Sequence, residues 1–250
     1  LAAVIAHEVR NPLAIISNAV AGLRRREIGH EDRETLLEIL KEESSRLNRL
    51  VGDLLRYARP VNVQRQLISV RDVIERTITS TALRDAMTVE LTEEAELHSI
   101  WGDPGLLRQV FDNLIENASQ AMGGVNSEGA GGWTQARKLT IAMRSAKRDA
   151  VDGVHVEVQD TGEGMEAHVR LRAKDPFFTT RPSGTGLGLA IVDRIVEAHD
   201  GEISITSRPG NGTTVTVFLP IGAPVPPSSG ALIAAREAPA MRRSPSADGS

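Results

Sequence analysis

Residues 1–26 read LAAVIAHEVRNPLAIISNAVAGLRRR, and their pattern sets the architecture of the first part of the chain. Apolar residues recur at every third or fourth position, which is the spacing of one face of an α-helix. The residues of this stripe are Ile5, Val9, Leu13, Ile16, Val20 and Leu23. The stretch therefore predicts an amphipathic helix over 1–26 with a single apolar stripe.

A second helix is predicted over residues 33–57, after a short connector at 29–32. Its stripe consists of Leu36, Leu40, Leu47, Leu50 and Leu54. Two helices joined by a short link form an antiparallel hairpin. One hairpin cannot bury both stripes well, so we expect two copies to pair through residues 1–59 into a dimeric four-helix bundle. Arg59-Pro60 ends this helical region.

From Val61 onward, short strand patterns alternate with helical ones, which predicts an α+β sandwich over 60–222. Asp103 and Pro104 predict the start of a helix that runs to about Met122. A further helix is predicted over 186–201. The predicted strands are 88–91, 96–101, 138–143, 154–160, 203–207 and 213–219, the last two forming a hairpin. Residues 123–136 are predicted to form a loop, and residues 223–250, rich in Pro, Ser, Ala and Gly, a disordered tail.

Composition excludes several classes of protein. The 250 residues include no cysteine, so disulfides and thiol catalysis are excluded. A net charge of −4 and 3% aromatic residues argue against nucleic-acid binding. No apolar run approaches the roughly 20 residues of a membrane span. The chain begins in mid-pattern without methionine and has no signal-peptide layout, so we expect a fragment of a longer protein. We expect this fragment to be cytoplasmic whether or not its parent is membrane-anchored.

The run HEVRNPLA at 7–14 places chemistry on the first helix. On a helical wheel His7 lies about 165° from the centre of the apolar stripe, and Asn11 shares its face one turn later. Glu8 stands beside His7 and could accept its proton. Pro12 costs about 3 kcal/mol in a helix interior, and strain beside an exposed imidazole favours a functional group over an ordinary surface histidine.

HEVRNPL resembles the phospho-acceptor motif of sensor histidine kinases. The resemblance implies that His7 accepts phosphate from ATP and passes it to an aspartate of a response-regulator receiver domain. It implies Glu8 as the general base for phosphorylation. It implies that Asn11 positions water when the hairpin dephosphorylates the regulator.

The run QVFDNLIENASQAM at 109–122 places Asn113 and Asn117 one turn apart on a common helix face. An amide oxygen is a hard ligand that suits Mg²⁺. The run resembles the N box of these kinases, and Asn117 matches its metal-binding asparagine. In the related ATPases the position of Asn113 carries a glutamate that activates water. An amide cannot act as that base, which favours phosphate transfer over hydrolysis.

Two glycine-rich runs complete the pattern. DTGEGM at 160–165 resembles the G1 box: Asp160 would accept a hydrogen bond from the adenine amine, while Gly162 and Gly164 would allow a flat base to approach the backbone. GTGLGLA at 184–190 resembles the G2 box, whose helix start favours phosphate. Its spacing matches neither a dinucleotide fingerprint nor a P-loop. The G2 residues of interest are Gly184, Thr185, Gly186, Leu187 and Gly188.

DPFFTTRPS at 175–183 resembles the F box and a short ATP lid. Phe177 and Phe178 are expected to anchor the lid, and Thr180 and Arg181 to approach the phosphates. Lys174 stands where the family usually has an apolar residue, so lid packing is expected to differ there. The short lid and the NASQAM run are most similar to the nitrogen-regulator-like branch of the family.

The boxes follow one another in the order that the family has, from Leu1 to about Ile221. The resemblance implies a hairpin followed by a domain of the histidine-kinase, gyrase and heat-shock-90 ATPase type, with ATP and Mg²⁺ as cofactors and a homodimer as the assembly. Two alternatives stay open. One is an ATP-hydrolysing clamp of the same superfamily, and the other is an inactive dimeric scaffold.

Overall fold

A computed structural model of the chain describes residues 2–25, 28–80, 87–94, 97–123, 137–181 and 184–222. The predicted tail at 223–250 lies outside the described residues, as does the predicted loop apart from Gly123. No described helix is both long enough and apolar enough to cross a membrane.

The first part of the chain is a hairpin of two long helices, α1 (Ala2–Leu23) and α2 (His30–Ala58). The helices run antiparallel, since Glu8 lies 3.9 Å from Arg46 and Gly22 packs against Leu36. The predicted connector at 29–32 is wrong, because α2 already begins at His30. The acidic residues at 31 and 32 stabilise that first turn through the helix dipole.

The apolar stripe of α1 is only partly covered by α2. Pro12 and Ala19 are buried, whereas Leu13 and Val20 keep 48% and 39% of their surface exposed. Helix α2 therefore covers one flank of the predicted stripe and leaves the other flank, with Leu13 and Val20, exposed. The exposed large apolar side chains of the hairpin are Val4, Leu13, Ile15, Val20, Leu37, Val51 and Leu55. These residues offer apolar surface that a second hairpin could cover.

The second part is an α+β sandwich, as predicted. Its elements are β1 (Gln66–Ile68), α3 (Val70–Ser80), β2 (Thr88–Glu93), β3 (Ile100–Gly102), α4 (Pro104–Ala121), β4 (Lys138–Arg148), β5 (Val151–Asp160), α5 (Ala167–Arg172), α6 (Gly188–Ala198), β6 (Glu202–Ser207) and β7 (Thr213–Pro220). Five strands form one sheet in the order β2-β4-β5-β7-β6, with β2 and β4 parallel and the other pairs antiparallel. Strands β1 and β3 form a separate antiparallel pair.

The core lies between one face of the five-stranded sheet and helices α3, α4 and α6. Alternate residues of β4, namely Leu139, Ile141 and Met143, are almost completely buried. They belong to the same apolar cluster as Phe111 of α4 and Val192 of α6. This packing holds α4 and α6 side by side on the sheet, which brings the two motif-bearing helices together.

Two strand predictions need correction. The strand predicted over 96–101 is confined to Ile100–Gly102, and residues 97–99 have no regular structure. Strands β4 and β5 extend beyond their predicted ends and meet in a tight turn at Asp149 and Ala150, which have φ of 46° and 68°. The added residues are mostly polar and exposed, so no alternating hydrophobic pattern marked them as strand.

The start of α4 confirms the prediction made from Asp103 and Pro104. The carboxylate of Asp103 accepts hydrogen bonds from the backbone N–H groups of Gly105 and Leu106, at 2.9 and 3.1 Å. The N–H of Asp103 donates to Nε2 of the buried His199, at 3.0 Å. The cap of α4 is thereby connected to the end of α6.

Candidate functional site

A pocket opens between α4, the end of β5, the segment before α6, and the C-terminal half of α2. Most of the residues predicted for nucleotide binding line it: Asn113, Asn117, Asp160, Gly164, Thr180, Arg181, Gly184, Thr185, Gly186 and Gly188. Gly162 and Leu187 lie beside the pocket without lining it. Residues up to about 75 positions apart in the sequence are thus collected around one cavity.

Asp160 is the acidic group at the deep end of the pocket. It is the last residue of β5, only 6% exposed, and its Oδ1 accepts hydrogen bonds from the N–H groups of Gly162 and Thr213, at 2.8 and 3.2 Å. Burial raises the pKa of this carboxyl, and the two backbone donors oppose that rise. Because both donors bind Oδ1, Oδ2 is the oxygen available to a donor on a ligand.

The glycines after Asp160 are required by protein packing. A Cβ on Gly162 would lie 2.7 Å from the carbonyl oxygen of Ala121, and one on Gly164 would lie 2.0 Å from that of Arg208. Gly164 also has a φ of +68°. Both Cα atoms meet neighbouring backbone, so these glycines also fix the loop that follows Asp160. Their predicted part in the approach of a flat base stays a prediction.

The opposite end of the pocket is formed by the start of α6. Gly188 is its first residue, and a Cβ there would lie 3.4 Å from Oδ1 of Asn113 and 3.8 Å from Oδ1 of Asn117. The missing side chain leaves the helix start open toward both amides. Since the first N–H groups of a helix lack intrahelical acceptors, this end of the pocket suits an anion.

The two asparagines differ in their hydrogen bonding. Nδ2 of Asn113 donates to the carbonyl of Gln109 at 2.9 Å, which fixes the amide with Oδ1 directed toward Gly188. No described residue forms a hydrogen bond with the side chain of Asn117. No cluster of three His, Asp or Glu side chains within the described ranges could hold a metal ion. A metal here would therefore depend on Asn117 and on the oxygens of a ligand and water.

The predicted lid is held across the pocket by polar contacts. Nη1 of Arg181 donates to Oε1 of Gln120 at 3.1 Å, and Nη2 lies 3.8 Å from Oε1 of Glu163. The N–H of Phe177 donates to the carbonyl of Gly186 at 2.8 Å. These contacts tie the lid to α4 and to the segment before α6.

Lys174 and Phe178 secure the base of the lid. Nζ of Lys174 lies 2.9 Å from Oδ1 of Asp193 on α6, so an ion pair occupies the place where an apolar residue is usual. The guanidinium of Arg172 stacks 4.1 Å from the ring centre of Phe178. The lid base is thus attached to α5 and α6 by charged side chains.

The predicted phospho-acceptor group lies on the hairpin, outside the pocket. His7 and Asn11 are exposed on α1, and α1 continues through Pro12. Glu8 is half-buried, with Oε2 3.9 Å from Nη2 of Arg46, whose other terminal nitrogen lies 3.7 Å from Glu43. The structure brings most of the residues predicted for nucleotide binding together but leaves His7 apart from them.

Two models of protein families match the chain in succession. Residues 1–62 match the His Kinase A (phospho-acceptor) domain, and residues 102–223 match the histidine kinase-, DNA gyrase B- and HSP90-like ATPase domain. The chain is 36% identical over 225 residues to the sensor histidine kinase ZraS of Klebsiella oxytoca, covering 88% of this chain and 46% of that protein. It is 37% identical over 224 residues to the histidine-protein kinase AtoS of Escherichia coli, covering 88% and 34%. The chain belongs to the sensor histidine kinases.

Solved structures agree with this assignment. The histidine kinase ThkA, in complex with the response regulator protein TrrA, superposes with a TM-score of 0.67 at 25% identity, covering 88% of this chain and 61% of that one. Full-length ShkA with AMPPNP shares the fold, with a TM-score of 0.58 at 24% identity and coverage of 89% and 46%. This histidine kinase chain spans less than half the length of ZraS and AtoS.

Sequence reasoning missed the contribution of α2 to the pocket of this histidine kinase. Arg49 and Asp53 line the pocket from the hairpin, and Oγ1 of Thr185 donates to Oδ2 of Asp53 at 2.8 Å. On the helical pattern both residues are ordinary polar positions of an amphipathic helix. Only the placement of the two domains reveals that they meet the nucleotide pocket.

Proposed function

We propose that this chain transfers the γ-phosphoryl group of ATP to His7, and then to an aspartate of a response-regulator receiver domain. The observation that carries the proposal is that the exposed His7 and its neighbour Glu8 share a chain with a pocket built from Asp160, Asn117 and the open start of α6. The hairpin supplies an acceptor, and the second domain supplies a nucleotide site. In this scheme the fragment acts in the cytoplasm.

Asp160 would recognise adenine. Its Oδ1 is held by two backbone N–H groups, so Oδ2 can accept a hydrogen bond from the exocyclic amine of the base. A buried acceptor without a donor is costly, so a base that lacks this amine binds less well. Guanine has a carbonyl where adenine has its amine, and a carbonyl cannot donate to Oδ2 of Asp160. This oxygen would therefore select adenine over guanine.

The triphosphate would lie toward α6. The N–H groups at its start and the guanidinium of Arg181 would compensate negative charge, and Thr180, next to Arg181 in the chain, also lines the pocket. Asn117 would bind Mg²⁺, a choice supported by its amide oxygen, which no described residue engages. When bound, Mg²⁺ neutralises phosphate charge and helps to orient the γ-phosphoryl group.

Transfer to His7 conserves atoms and charge in a simple way. A neutral imidazole nitrogen attacks the γ-phosphorus in line, the bond from that phosphorus to the β,γ-bridging oxygen breaks, and ADP leaves. The other ring nitrogen releases its proton to Glu8. Oε2 of Glu8 lies 3.9 Å from Nη2 of Arg46 on α2. Since His7 lies outside the pocket, the nucleotide domain must move relative to the hairpin before transfer.

Asn113 favours transfer over hydrolysis. Its amide donates to Gln109 and cannot abstract a proton from water. A hydrolysing clamp of the same superfamily needs a base at that position. The inactive scaffold is disfavoured because Lys174, the one departure from the family pattern, forms an ion pair with Asp193 that attaches the lid base to α6.

The partners follow from the hairpin. Exposed apolar side chains on α1 and α2 support a homodimer through residues 1–59. ThkA forms a complex with the response regulator TrrA, and by analogy the hairpin of this chain would present phosphorylated His7 to a receiver domain. Asn11, one turn from His7, would position water for dephosphorylation of that regulator.

Incubation with γ-labelled ATP separates the three candidate functions. A histidine kinase retains label on the protein, and that label is stable in base and lost in acid. A clamp releases labelled inorganic phosphate with no label on the protein. A scaffold binds no adenine nucleotide, so equilibrium dialysis with labelled ADP shows no retention.

A further inference from the structure

The hairpin enters the nucleotide pocket at Asp53. Its Oδ2 accepts a hydrogen bond from Oγ1 of Thr185 at 2.8 Å, although 132 residues separate the two in sequence. The side chain of Asp53 is only 18% exposed, and it also pairs with Arg56 at 3.0 Å. A carboxylate from one domain is therefore bound to the segment that begins α6 in the other.

The position of this carboxylate conflicts with a nucleotide. The start of α6, with its open N–H groups and its glycines, favours an anion, and in this structure the hairpin provides one. The hydroxyl of Thr185 has a single proton, so it cannot donate to Asp53 and to a phosphate at once. Phosphate oxygens beside an ionised Asp53 would also be repelled at short range.

A second contact holds the same arrangement from outside the pocket. Arg194 of α6 donates through Nη1 to the carbonyl oxygen of Tyr57, and its guanidinium lies 4.9 Å from the centre of the Tyr57 ring. Nη2 of Arg194 approaches the carbonyl of Arg59 at 3.4 Å. Asp53 and Tyr57 are one helical turn apart on α2, so the two contacts form one docking surface.

The docked position keeps the pocket away from the phospho-acceptor. Glu8, next to His7, lies at the level of Arg46 on α2. Asp53 is seven residues further along α2, which corresponds to about 10 Å along the helix axis. The docked domain therefore sits about two helical turns below the level at which phosphate would be transferred.

We propose that Asp53 is a built-in competitor of the nucleotide phosphates, so that docking of the second domain on α2 and nucleotide binding weaken each other. This inference rests on the proposed nucleotide site. In the absence of nucleotide, Asp53 and Arg194 hold the domain docked and away from His7. Nucleotide binding displaces Asp53 from Thr185 and frees the domain to reach the histidine.

The test is the affinity of the whole chain for ADP with Mg²⁺, measured by titration calorimetry for Asp53→Ala, Arg194→Ala and the double variant. The apparent affinity for ADP equals the intrinsic affinity multiplied by the fraction of molecules that are undocked. If about four fifths of the molecules are docked, that fraction is about one fifth, so either change tightens binding by up to about fivefold. Because both residues act on one equilibrium, the double variant binds no tighter than that same limit. Glu42→Ala, an exposed carboxylate on α2 outside the pocket, should bind like the unmodified chain.

The outcomes are distinct. Tighter binding by both single variants, with no further gain in the double variant, supports the competition. Equal affinity in all variants, or weaker binding by Asp53→Ala, overturns it while leaving the nucleotide site intact, the second result making Asp53 a binding residue. Failure of every variant to bind ADP contradicts the proposed function and the competition together.

Discussion

Asp160 accepts a hydrogen bond at 3.2 Å from the backbone N–H of Thr213, a residue 53 positions further along the chain. Asp160 ends β5, and Thr213 begins β7, the strand that pairs with β5 in the sheet. The carboxylate is thus positioned by the sheet itself, and Gly162 supplies the second donor. A group held in this way is fixed before any ligand arrives, which suits selective recognition of one base.

Replacing Asp160 with asparagine separates binding from folding. The amide oxygen can still accept from Gly162 and Thr213, but the charged acceptor for adenine is lost, so we expect ADP affinity to fall about tenfold or more. Burial raises the pKa of Asp160 in the folded chain. Above that pKa the ionised carboxylate lowers the free energy of unfolding, and this loss of stability disappears as the pH falls. At neutral pH the variant should therefore unfold at a temperature no lower than the unmodified chain. Titration calorimetry measures the affinity for ADP, and scanning calorimetry measures the unfolding temperature. Asp152→Asn, on the same strand, is the control.

Asn117→Ala should weaken nucleotide binding only when magnesium is present. Its amide oxygen is the one protein ligand that we propose for Mg²⁺, so its loss should reduce the gain in ADP affinity that Mg²⁺ provides. Titration with ADP in Mg²⁺ and in a chelator measures that gain. The exposed Asn48 of α2 offers a matched control as Asn48→Ala. An unchanged magnesium dependence in Asn117→Ala would remove this residue from the metal site.

Asn11→Ala should spare autophosphorylation and slow dephosphorylation of the regulator. Asn11 shares the exposed face of His7 but has no part in nucleotide binding, so label from ATP should accumulate on the chain at the usual rate. Decay of a phosphorylated receiver domain in the presence of each variant measures the second activity. Asn18→Ala, exposed two turns further along α1, should behave as the unmodified chain does. Equal loss of both activities would contradict this division of roles.

His199 should make folding sensitive to mild acid. The ring is neutral when Nδ1 donates to the carbonyl of Ile195 and Nε2 accepts from the N–H of Asp103. Burial lowers the pKa of His199 below its usual 6.5, so its contribution is complete above 6.5 and is lost as pH falls toward the lower folded value. Thermal unfolding between about pH 8 and pH 5.5 should show this decline. His199→Gln should be less stable at pH 8 but should lose less on acidification, whereas His155→Gln should retain the decline attributed to His199.

Much of the fold could be predicted because its signals are local. The stripes of α1 and α2, and Asp103 followed by Pro104 at the start of α4, each depend on residues within a few positions of one another. Strands β1 and β3 are three residues each and pair across 31 to 35 intervening positions, so neither has enough pattern to be recognised alone. The partial exposure of the α1 stripe was not predictable either, because the pattern of one helix does not reveal how many neighbouring helices will cover it.

The site was predictable where a residue type has a chemical reason in its own motif. Asp160, Asn117 and the glycines before α6 line one pocket, as the boxes imply. The packing role of Gly162 and Gly164 was not predictable, because their close neighbours Ala121 and Arg208 come from distant parts of the chain. Asp53 gave no signal either, since its contact with Thr185 exists only when the two domains meet.

The most direct test of the account is the transfer of label from γ-labelled ATP to the chain, compared between His7→Gln and His30→Gln. Both histidines are exposed on the hairpin and each precedes a glutamate, but only His7 belongs to the HEVRNPL motif that contains Asn11 and Pro12. The account predicts that His30→Gln acquires acid-labile label normally, while His7→Gln acquires none and still binds ADP with unchanged affinity. Acid-labile label on His7→Gln at the normal level would contradict the central claim.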